Sequence, residues 1–253
     1  MSTEILGANV PLVIAHRGFS AQAPENTLAA FRLAAETTGW AECDVDVLAD
    51  ETAIICHDST LDRTTSGSGA YEHLTWEDVS GLDAGSWFGP QFADERIPRL
   101  ADLVDLMNET GLAMNVELKS PAGGARAAQR LVDATAQQLR RIRPDVPVII
   151  SSFNHLLLRL MGEAGPWPTA CLFDRGQLGE DWRTLAELAG ARYIHPCEDG
   201  LTSAQVAQMR EAGFGVNPWT VNDPERAKEL VAWGVTGVIG DNPAENAAAL
   251  SVV

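Results

Sequence analysis

The chain has 253 residues, a length typical of a (β/α)8 barrel, and its hydrophobic share of 45% supports a sizeable core. The formal net charge of −17 argues against non-specific attraction to nucleic acid or to anionic membranes, because both are negatively charged as well. No run approaches the roughly 18 apolar residues of a membrane helix, and no secretory leader pattern is present, so we expect a cytoplasmic protein with reduced cysteines.

Short β-rich runs alternate with longer helical patterns along the chain, which is typical of βα units on a parallel sheet. Eight barrel strands are predicted near residues 11–16, 40–46, 113–118, 146–152, 169–173, 192–196, 214–220 and 235–240. The main helices are predicted near residues 26–37, 100–110, 123–142, 154–164, 181–189, 203–212, 223–233 and 243–250. The pattern predicts one (β/α)8 TIM barrel domain over residues 1–253.

One segment interrupts this alternation after the second strand. Residues 53–57 follow a short polar stretch, which indicates a hairpin that folds back on the second strand. Residues 58–98 are then rich in Gly, Ser, Thr and Asp, with a short helix predicted near 75–81. Because a long segment without regular structure is unusual unless it is functional, we interpret residues 58–98 as an insertion over one barrel mouth.

Ionisable side chains share one face at the ends of the first three barrel strands. In chain order these residues are His16, Glu42, Asp44, Glu117 and Lys119. In a (β/α)8 barrel, side chains at strand ends point to the C-terminal mouth, where barrel enzymes carry out their chemistry. The sequence therefore predicts a functional site at that mouth.

The residue types at these strand ends suit a metal and proton transfer. The carboxylates of Glu42, Asp44 and Glu117 offer only oxygen ligands, which favour a hard cation such as Mg²⁺ or Ca²⁺. His16 ends the first strand, and His57 closes the hairpin and can return to the same mouth. Histidines suit general acid and base roles near neutral pH, so this pair is a candidate for proton transfer.

Two cationic residues complete the set. Arg17 suits a phosphate group as a planar fork, and Lys119 suits it as a point charge. Each feature alone has a structural explanation, since Glu117 and Lys119 can form an ion pair. A lone histidine such as His16 is more often a hydrogen-bonded core residue, and we keep that interpretation for His195. The convergence on strand ends favours phosphoryl transfer.

A series of short motifs runs in order from about residue 12 to residue 246. The motifs are His16-Arg17-Gly18, Pro24-Glu25-Asn26-Thr27, Glu42-Cys43-Asp44-Val45, His57-Asp58, Leu61-Asp62-Arg63-Thr64, Glu117-Leu118-Lys119, Ser151-Ser152-Phe153, Trp219-Thr220-Val221-Asn222 and Gly240-Asp241-Asn242-Pro243. Any one of them is unspecific, but the ordered set resembles the glycerophosphodiester phosphodiesterase family. The resemblance implies a metal-dependent barrel enzyme that hydrolyses glycerophosphodiesters to glycerol 3-phosphate and an alcohol.

The same resemblance implies roles for the charged residues at the strand ends. It implies that Glu42, Asp44 and Glu117 bind a divalent cation. It also implies that His16 and His57 form the acid/base pair. Our preferred assignment makes His57 the base and His16 the acid, and the opposite assignment stays open.

Further matching residues are implied to contact the substrate or the metal. Arg17 and Lys119 would contact the phosphate, and Asn26 would hydrogen-bond within the site. Trp219 would form an apolar wall for the glycerol moiety. Glu25 lies near the metal in relatives with this motif, which makes it a candidate further ligand.

Several alternatives remain open from the sequence. A lysophospholipase D-like enzyme or another phosphodiesterase on the same barrel is one, although the missing membrane segment weighs against bilayer substrates. A sugar-phosphate barrel would not require two histidines beside three carboxylates, and a non-catalytic binder would not require intact His16 and His57. The nucleophile is either water or the glycerol 2-hydroxyl, and the head group, metal and oligomeric state are open.

Overall fold

Strands and helices alternate over residues 12–251, the part of the chain that the computed structural model describes. The strands are β1 (Leu12–Ala15), β2 (Trp40–Val47), β3 (Ala53–Ile55), β4 (Ala113–Leu118), β5 (Val148–Ser152), β6 (Thr169–Phe173), β7 (Tyr193–Pro196), β8 (Gly215–Val216) and β9 (Gly237–Gly240). The helices are α1 (Leu28–Thr37), α2 (Trp76–Val79), α3 (Leu100–Thr110), α4 (Gly124–Leu139), α5 (His155–Ala164), α6 (Trp182–Ala189), α7 (Ser203–Glu211), α8 (Pro224–Ala232) and α9 (Pro243–Leu250). Residue 11, where the first strand is predicted to start, lies outside the described residues.

The parallel strands form a barrel. They pair in the order β8-β7-β6-β5-β4-β2-β1-β9, and β3 pairs with β2 alone. Backbone hydrogen bonds join the two ends of this order, since the Thr236 amide donates to the Val216 carbonyl at 2.8 Å. The Ile239 amide donates to the Pro218 carbonyl at 2.9 Å, and the Val221 amide donates to the Ile239 carbonyl at 2.8 Å. The predicted (β/α)8 barrel is confirmed.

The eighth barrel strand, β8, is shorter than the sequence predicts. The prediction covers residues 214–220, whereas regular strand geometry is confined to Gly215–Val216. Proline has no amide hydrogen, so Pro218 cannot donate to a ladder. Pairing resumes beyond it, where the Trp219 amide donates to the Pro196 carbonyl at 3.0 Å.

Side-chain signals account for where several helices begin. Thr27 caps α1, because its hydroxyl oxygen accepts a hydrogen bond from the Ala30 amide at 3.3 Å. Asn154 caps α5 and Asp223 caps α8 in the same way. Pro224 occupies the first turn of α8, where its missing amide hydrogen costs nothing. These caps explain why helix starts are predicted to within a few residues.

The main apolar core lies between the barrel strands and the surrounding helices. Glu42, Asp44, Asn115 and Glu117 alternate with core residues along β2 and β4, so they face the barrel axis instead. Cys43 points outward into this core, where burial raises the pKa of its thiol well above the usual value. Strand residues in this core include Ala41, Cys43, Val45, Val116, Ile150, Cys171 and Val238.

The insertion packs onto the hairpin of β2 and β3 through an apolar cluster that is separate from the main core. β3 runs antiparallel to β2, as the hairpin predicted, and the short helix α2 falls within the predicted range. The Tyr71 hydroxyl donates to Asp46 Oδ2 at 2.9 Å and attaches the insertion to β2. The cluster joins residues of the insertion to residues of the hairpin and comprises Leu48, Ile54, Cys56, Leu61, Tyr71, Val79, Ala84 and Ile97. Among the described residues, every helix is too short or too polar to cross a membrane.

Candidate active site

Three carboxylates meet inside the C-terminal mouth of the barrel. β2 and β4 pair in parallel with Asp44 opposite Glu117, and Glu42 precedes Asp44 on the same face. One carboxylate oxygen of each residue lies within 4.8 Å of those of the other two. Glu42 Oε1 is buried without a hydrogen-bond partner among the described residues, as expected of an oxygen that serves as a metal ligand. The oxygen-only donor set fits a hard divalent cation.

Burial and mutual repulsion alter the protonation of this carboxylate cluster. Burial, followed by the charges of Asp44 and Glu117, raises the pKa of Glu42 well above its usual value. Burial and the Asp44 charge raise the pKa of Glu117 to about 7. Burial also raises the pKa of Asp44, but Lys119 and Arg17 outweigh it and hold that pKa below the usual value. Without a cation, the cluster therefore retains a proton near neutral pH.

Two cationic side chains lie against these carboxylates. Lys119 Nζ lies 3.2 Å from Asp44 Oδ1 and 3.1 Å from Glu117 Oε1. The Arg17 backbone amide donates to Glu42 Oε2 at 2.9 Å, and its side-chain Nε lies 3.4 Å from Asp44 Oδ2. That Nε atom is buried and makes no hydrogen bond within the described residues, so its contact with Asp44 is an ion pair without a hydrogen bond.

The loop after β1 adopts a strained backbone that aims its side chains into the site. Arg17 and Asn26 have φ values of 55° and 58°, in the left-handed region that non-glycine residues rarely adopt. In this conformation Asn26 Nδ2 donates to Asp44 Oδ2 at 2.8 Å. Asn26 thus holds a carboxylate of the cluster and does not line the cavity directly.

Each predicted catalytic histidine is held by an aspartate. His16 Nδ1 lies 2.7 Å from Asp241 Oδ1, and its Nε2 faces Glu42 Oε2 at 3.9 Å. His57 Nδ1 lies 2.7 Å from Asp58 Oδ1. Because a carboxylate accepts, each Nδ1 carries the proton and each Nε2 remains for other chemistry. Burial is the largest influence on His57, and it lowers the pKa of that imidazole.

A cavity of about 250 Å³ brings the two histidines and the carboxylate cluster together. His16, Arg17 and His57 line its polar side, together with carboxylates of the cluster. Trp219 and Phe153 form an apolar wall, with ring centroids 5.5 Å apart in an edge-to-face arrangement. The cavity therefore offers charged groups for a phosphate and an apolar surface for carbon atoms.

Other predicted residues lie outside the cavity wall. Lys119 sits behind the wall against the carboxylate cluster. Both oxygens of Glu25 accept hydrogen bonds from the guanidinium groups of Arg17 and Arg63, and Glu25 is not among the three clustered carboxylates, so its metal role stays a prediction from the sequence. His195 is fully buried, pairs with Asn217 at 3.0 Å, and has a pKa that burial lowers to about 3.

Two residues that the structure places at the site have no role assigned from the sequence. Asn115 lines the cavity, and its Oδ1 atom is buried without a partner among the described residues. Its position two residues before Glu117 on β4 was the available signal, since period-two spacing places both on one face. Asp241 belongs to one of the motifs, but its contact with His16 joins residues 225 positions apart, so no local sequence pattern could indicate it.

Comparisons with known proteins agree with this arrangement. The profile of the glycerophosphoryl diester phosphodiesterase family matches residues 16–245. A glycerophosphodiester phosphodiesterase of Caldanaerobacter subterraneus subsp. tengcongensis is 35% identical, with 92% of this chain and 94% of that protein covered. A putative glycerophosphodiester phosphodiesterase of Bacillus subtilis is 32% identical, with 91% of this chain and 94% of that protein covered.

Solved structures show the same fold over almost the whole chain. An Oleispira antarctica phosphodiesterase in complex with its product sn-glycerol-3-phosphate superposes with a TM-score of 0.89 at 31% identity. That match covers 96% of this chain and 97% of the other. A putative glycerophosphoryl diester phosphodiesterase from Silicibacter pomeroyi gives a TM-score of 0.84 at 27% identity, with 96% and 94% covered.

Proposed function

Since the chain belongs to the glycerophosphoryl diester phosphodiesterase family and is an enzyme that hydrolyses glycerophosphodiesters, we propose that it does so with a divalent cation and two histidines. The observation that carries this proposal is a cavity lined by His16, His57 and two members of a cluster of three carboxylates. The relatives are named as phosphodiesterases, which favours an enzyme over a non-catalytic binding protein. A lysophospholipase D-like activity has no separate observation in its favour.

Glu42, Asp44 and Glu117 would hold the cation, which we expect to be Mg²⁺ or Ca²⁺. When bound, the cation supplies neutralisation of the negative charge on the phosphate oxygens. Arg17, which lines the cavity, would donate to the same phosphate through its guanidinium group. Lys119 would add positive charge from behind the carboxylates, where it already compensates Asp44 and Glu117.

The two histidines would divide the proton transfers between them. A lowered pKa keeps the His57 imidazole neutral near pH 7, so its Nε2 can accept the proton of the nucleophile. His16 is held by Asp241 through Nδ1, and its Nε2 would donate a proton to the leaving alkoxide. The nucleophile is water or the glycerol 2-hydroxyl, and either route ends in glycerol 3-phosphate and an alcohol.

The remaining site residues would position the substrate. Trp219 and Phe153 would pack against the glycerol carbons, and Asn26 would keep Asp44 oriented toward the cation. We also retain the prediction of one domain over residues 1–253, with residues 58–98 as its insertion. The cytoplasmic location belongs to the same proposal, and fractionation of producing cells tests it.

Turnover of glycerophosphocholine by His16→Ala and His57→Ala tests the catalytic assignment. Each variant should lose roughly 10²–10⁴-fold in kcat, the usual contribution of a positioned proton-transfer group. The melting temperature and the metal content should stay near those of the wild type. His73→Ala is a matched control, because His73 is exposed and its imidazole lies 3.2 Å from its neighbour Glu72. A folded, metal-loaded His57→Ala protein with wild-type kcat would refute the mechanism.

Chelation tests the metal assignment independently. Activity should disappear in excess EDTA and return when Mg²⁺ or Ca²⁺ is added in excess of the chelator. Full turnover in EDTA by protein that contains no measurable metal would remove the metal from the proposal. The detection of glycerol 3-phosphate as the product identifies which ester bond is cleaved.

A further inference from the structure

Arg63, which lies in the insertion, joins two carboxylates that belong to different parts of the site. Its Nε and Nη2 atoms donate to Asp58 at 2.7 and 3.0 Å. Its Nη1 and Nη2 atoms donate to Glu25 at 2.7 and 2.8 Å. The guanidinium therefore makes four hydrogen bonds from one rigid plane, with a carboxylate on each of two edges.

One end of this bridge reaches the candidate base. Asp58 Oδ1, which accepts from Arg63, also lies 2.7 Å from His57 Nδ1. The hydrogen bond from Arg63 is the largest cause that lowers the pKa of Asp58 below its usual range, so this carboxylate stays ionised. The imidazole of His57 is thereby held by a carboxylate whose own position Arg63 sets.

The other end of the bridge reaches the phosphate-binding arginine. Glu25 Oε1 accepts from Arg63 Nη2 and also from Arg17 Nη1 at 2.8 Å. Only 12% of the Glu25 side chain is exposed, so its two arginine partners restrict it closely. Arg17 lines the cavity beside His57. Two residues that would act on one phosphate are thus connected through Arg63.

We propose that Arg63 is a positioning residue that fixes His57 and Arg17 relative to each other, so that both reach the same phosphate group. The inference rests on the proposed roles of His57 in proton transfer and of Arg17 in phosphate binding. Lysine cannot replace arginine here, because an ammonium group is a point charge and cannot span two carboxylates in fixed directions. A small displacement of either end would separate the base from the bound substrate.

The two arms of the bridge have separate kinetic consequences. Asp58→Asn weakens the arm to His57, so it should lower kcat with little change in KM. Glu25→Gln weakens the arm to Arg17, so it should mainly raise KM. Arg63→Gln releases both arms and should change both constants, lowering kcat/KM by about 10²-fold, the size that misplacement of reacting groups produces.

Steady-state kinetics on glycerophosphocholine with saturating metal, beside melting temperatures, provides the test. Arg141→Gln is the matched control, because its side chain has the same 44% exposure and also pairs with a carboxylate, that of Asp105. Arg141 follows α4 at the opposite end of the barrel, so its loss should leave kcat and KM unchanged. Wild-type kcat and KM in a folded Arg63→Gln protein would overturn the proposal.

A chemical rescue distinguishes positioning from a general loss of stability. Millimolar guanidinium should restore part of the activity of Arg63→Ala, because the free cation can occupy the space between Asp58 and Glu25. The same salt should not increase the activity of the wild type or of Arg141→Gln. A folded, inactive Arg63→Ala protein that guanidinium does not reactivate would contradict the inference.

Arg63→Lys decides the question if the neutral variants fail to fold. It retains the positive charge between Asp58 and Glu25, so it should fold, yet it should still lose about 10-fold or more in kcat/KM. Wild-type kinetics in Arg63→Lys would show that charge alone is sufficient and would overturn the bridge. His57→Ala distinguishes failure of this inference from failure of the proposed function. An inactive His57→Ala protein beside fully active Arg63 variants would refute the role of Arg63 and leave the proposed function intact.

Discussion

Replacing Glu42 with glutamine separates the stability of the metal-free protein from its capacity to bind a cation. Asp44 and Glu117 each have a Lys or Arg nitrogen within 4.0 Å, whereas the nearest basic side-chain nitrogen to Glu42 is His16 Nε2 at 3.9 Å. Glu42 is only 3% exposed, so water contributes little compensation. In the metal-free protein it is therefore the least compensated carboxylate of the cluster.

The size of the expected effect follows from the spacing of the carboxylates. Two unit charges separated by the 4.8 Å limit of the cluster repel by about 3.5 kcal/mol at an effective dielectric constant of about 20. The raised pKa of Glu42 indicates that protonation already relieves part of this repulsion. We therefore expect Glu42→Gln to stabilise the metal-free protein by about 1–2 kcal/mol, or about 2–8 °C in Tm.

Thermal unfolding at pH 8, in EDTA and in saturating Mg²⁺ or Ca²⁺, measures both effects. The wild-type Tm should increase with metal, while Glu42→Gln should start higher in EDTA, show no metal-dependent increase, and lose activity. Glu163→Gln is a control, because Glu163 is exposed on α5 and pairs with Arg159. A variant that is less stable in EDTA and still stabilised by metal would show that Glu42 is not a ligand.

Three further predictions concern pH and positioning. The metal-dependent increase in Tm should grow between about pH 5 and 8. Burial and the Asp44 charge raise the pKa of Glu117 to about 7, so at lower pH the metal-free protein holds protons that the cation must displace. A pH-independent increase in Tm would contradict this. Asp241→Asn should lower kcat about 10- to 100-fold at unchanged Tm, since His16 loses its anchor, and wild-type kcat would dismiss that role. Burial lowers the pKa of His195 to about 3 in the folded protein, so its contribution to stability is lost as pH falls from about 6.5. The Tm of His195→Gln should therefore decrease less than that of the wild type between pH 7 and 4.5. Equal decreases in Tm would refute this.

The charged part of the site could be predicted because it follows a strand rule. Side chains on a strand alternate, and the C-terminal ends of parallel strands meet at one mouth. This rule alone is enough to predict that His16, Glu42 and Glu117 lie close together. The same rule placed Cys43 outside the barrel, where the structure has it buried in the apolar core.

The supporting contacts could not be predicted, because irregular segments carry no periodicity. Arg63 and Glu25 are 38 residues apart and lie in two loops whose mutual position depends on how the insertion packs. The contact between His16 and Asp241 likewise requires the barrel to close, since β1 and β9 are neighbours only in the folded sheet. Helix starts were accessible because capping residues are local, whereas the end of β8 at Val216 depends on how the chain around Pro218 pairs with its neighbouring strands.

The charge of the site explains how a strongly acidic chain can act on an anionic substrate. When fully ionised, the three carboxylates exceed the side chains of Arg17 and Lys119 by one negative charge, which the metal-free cluster offsets by retaining a proton. A divalent cation held as proposed converts this excess into one positive charge, which matches the single negative charge of a phosphodiester. The surrounding field remains repulsive at a net charge of −17, so attraction is confined to the cavity. Cation binding would then control substrate binding as well as the chemical step.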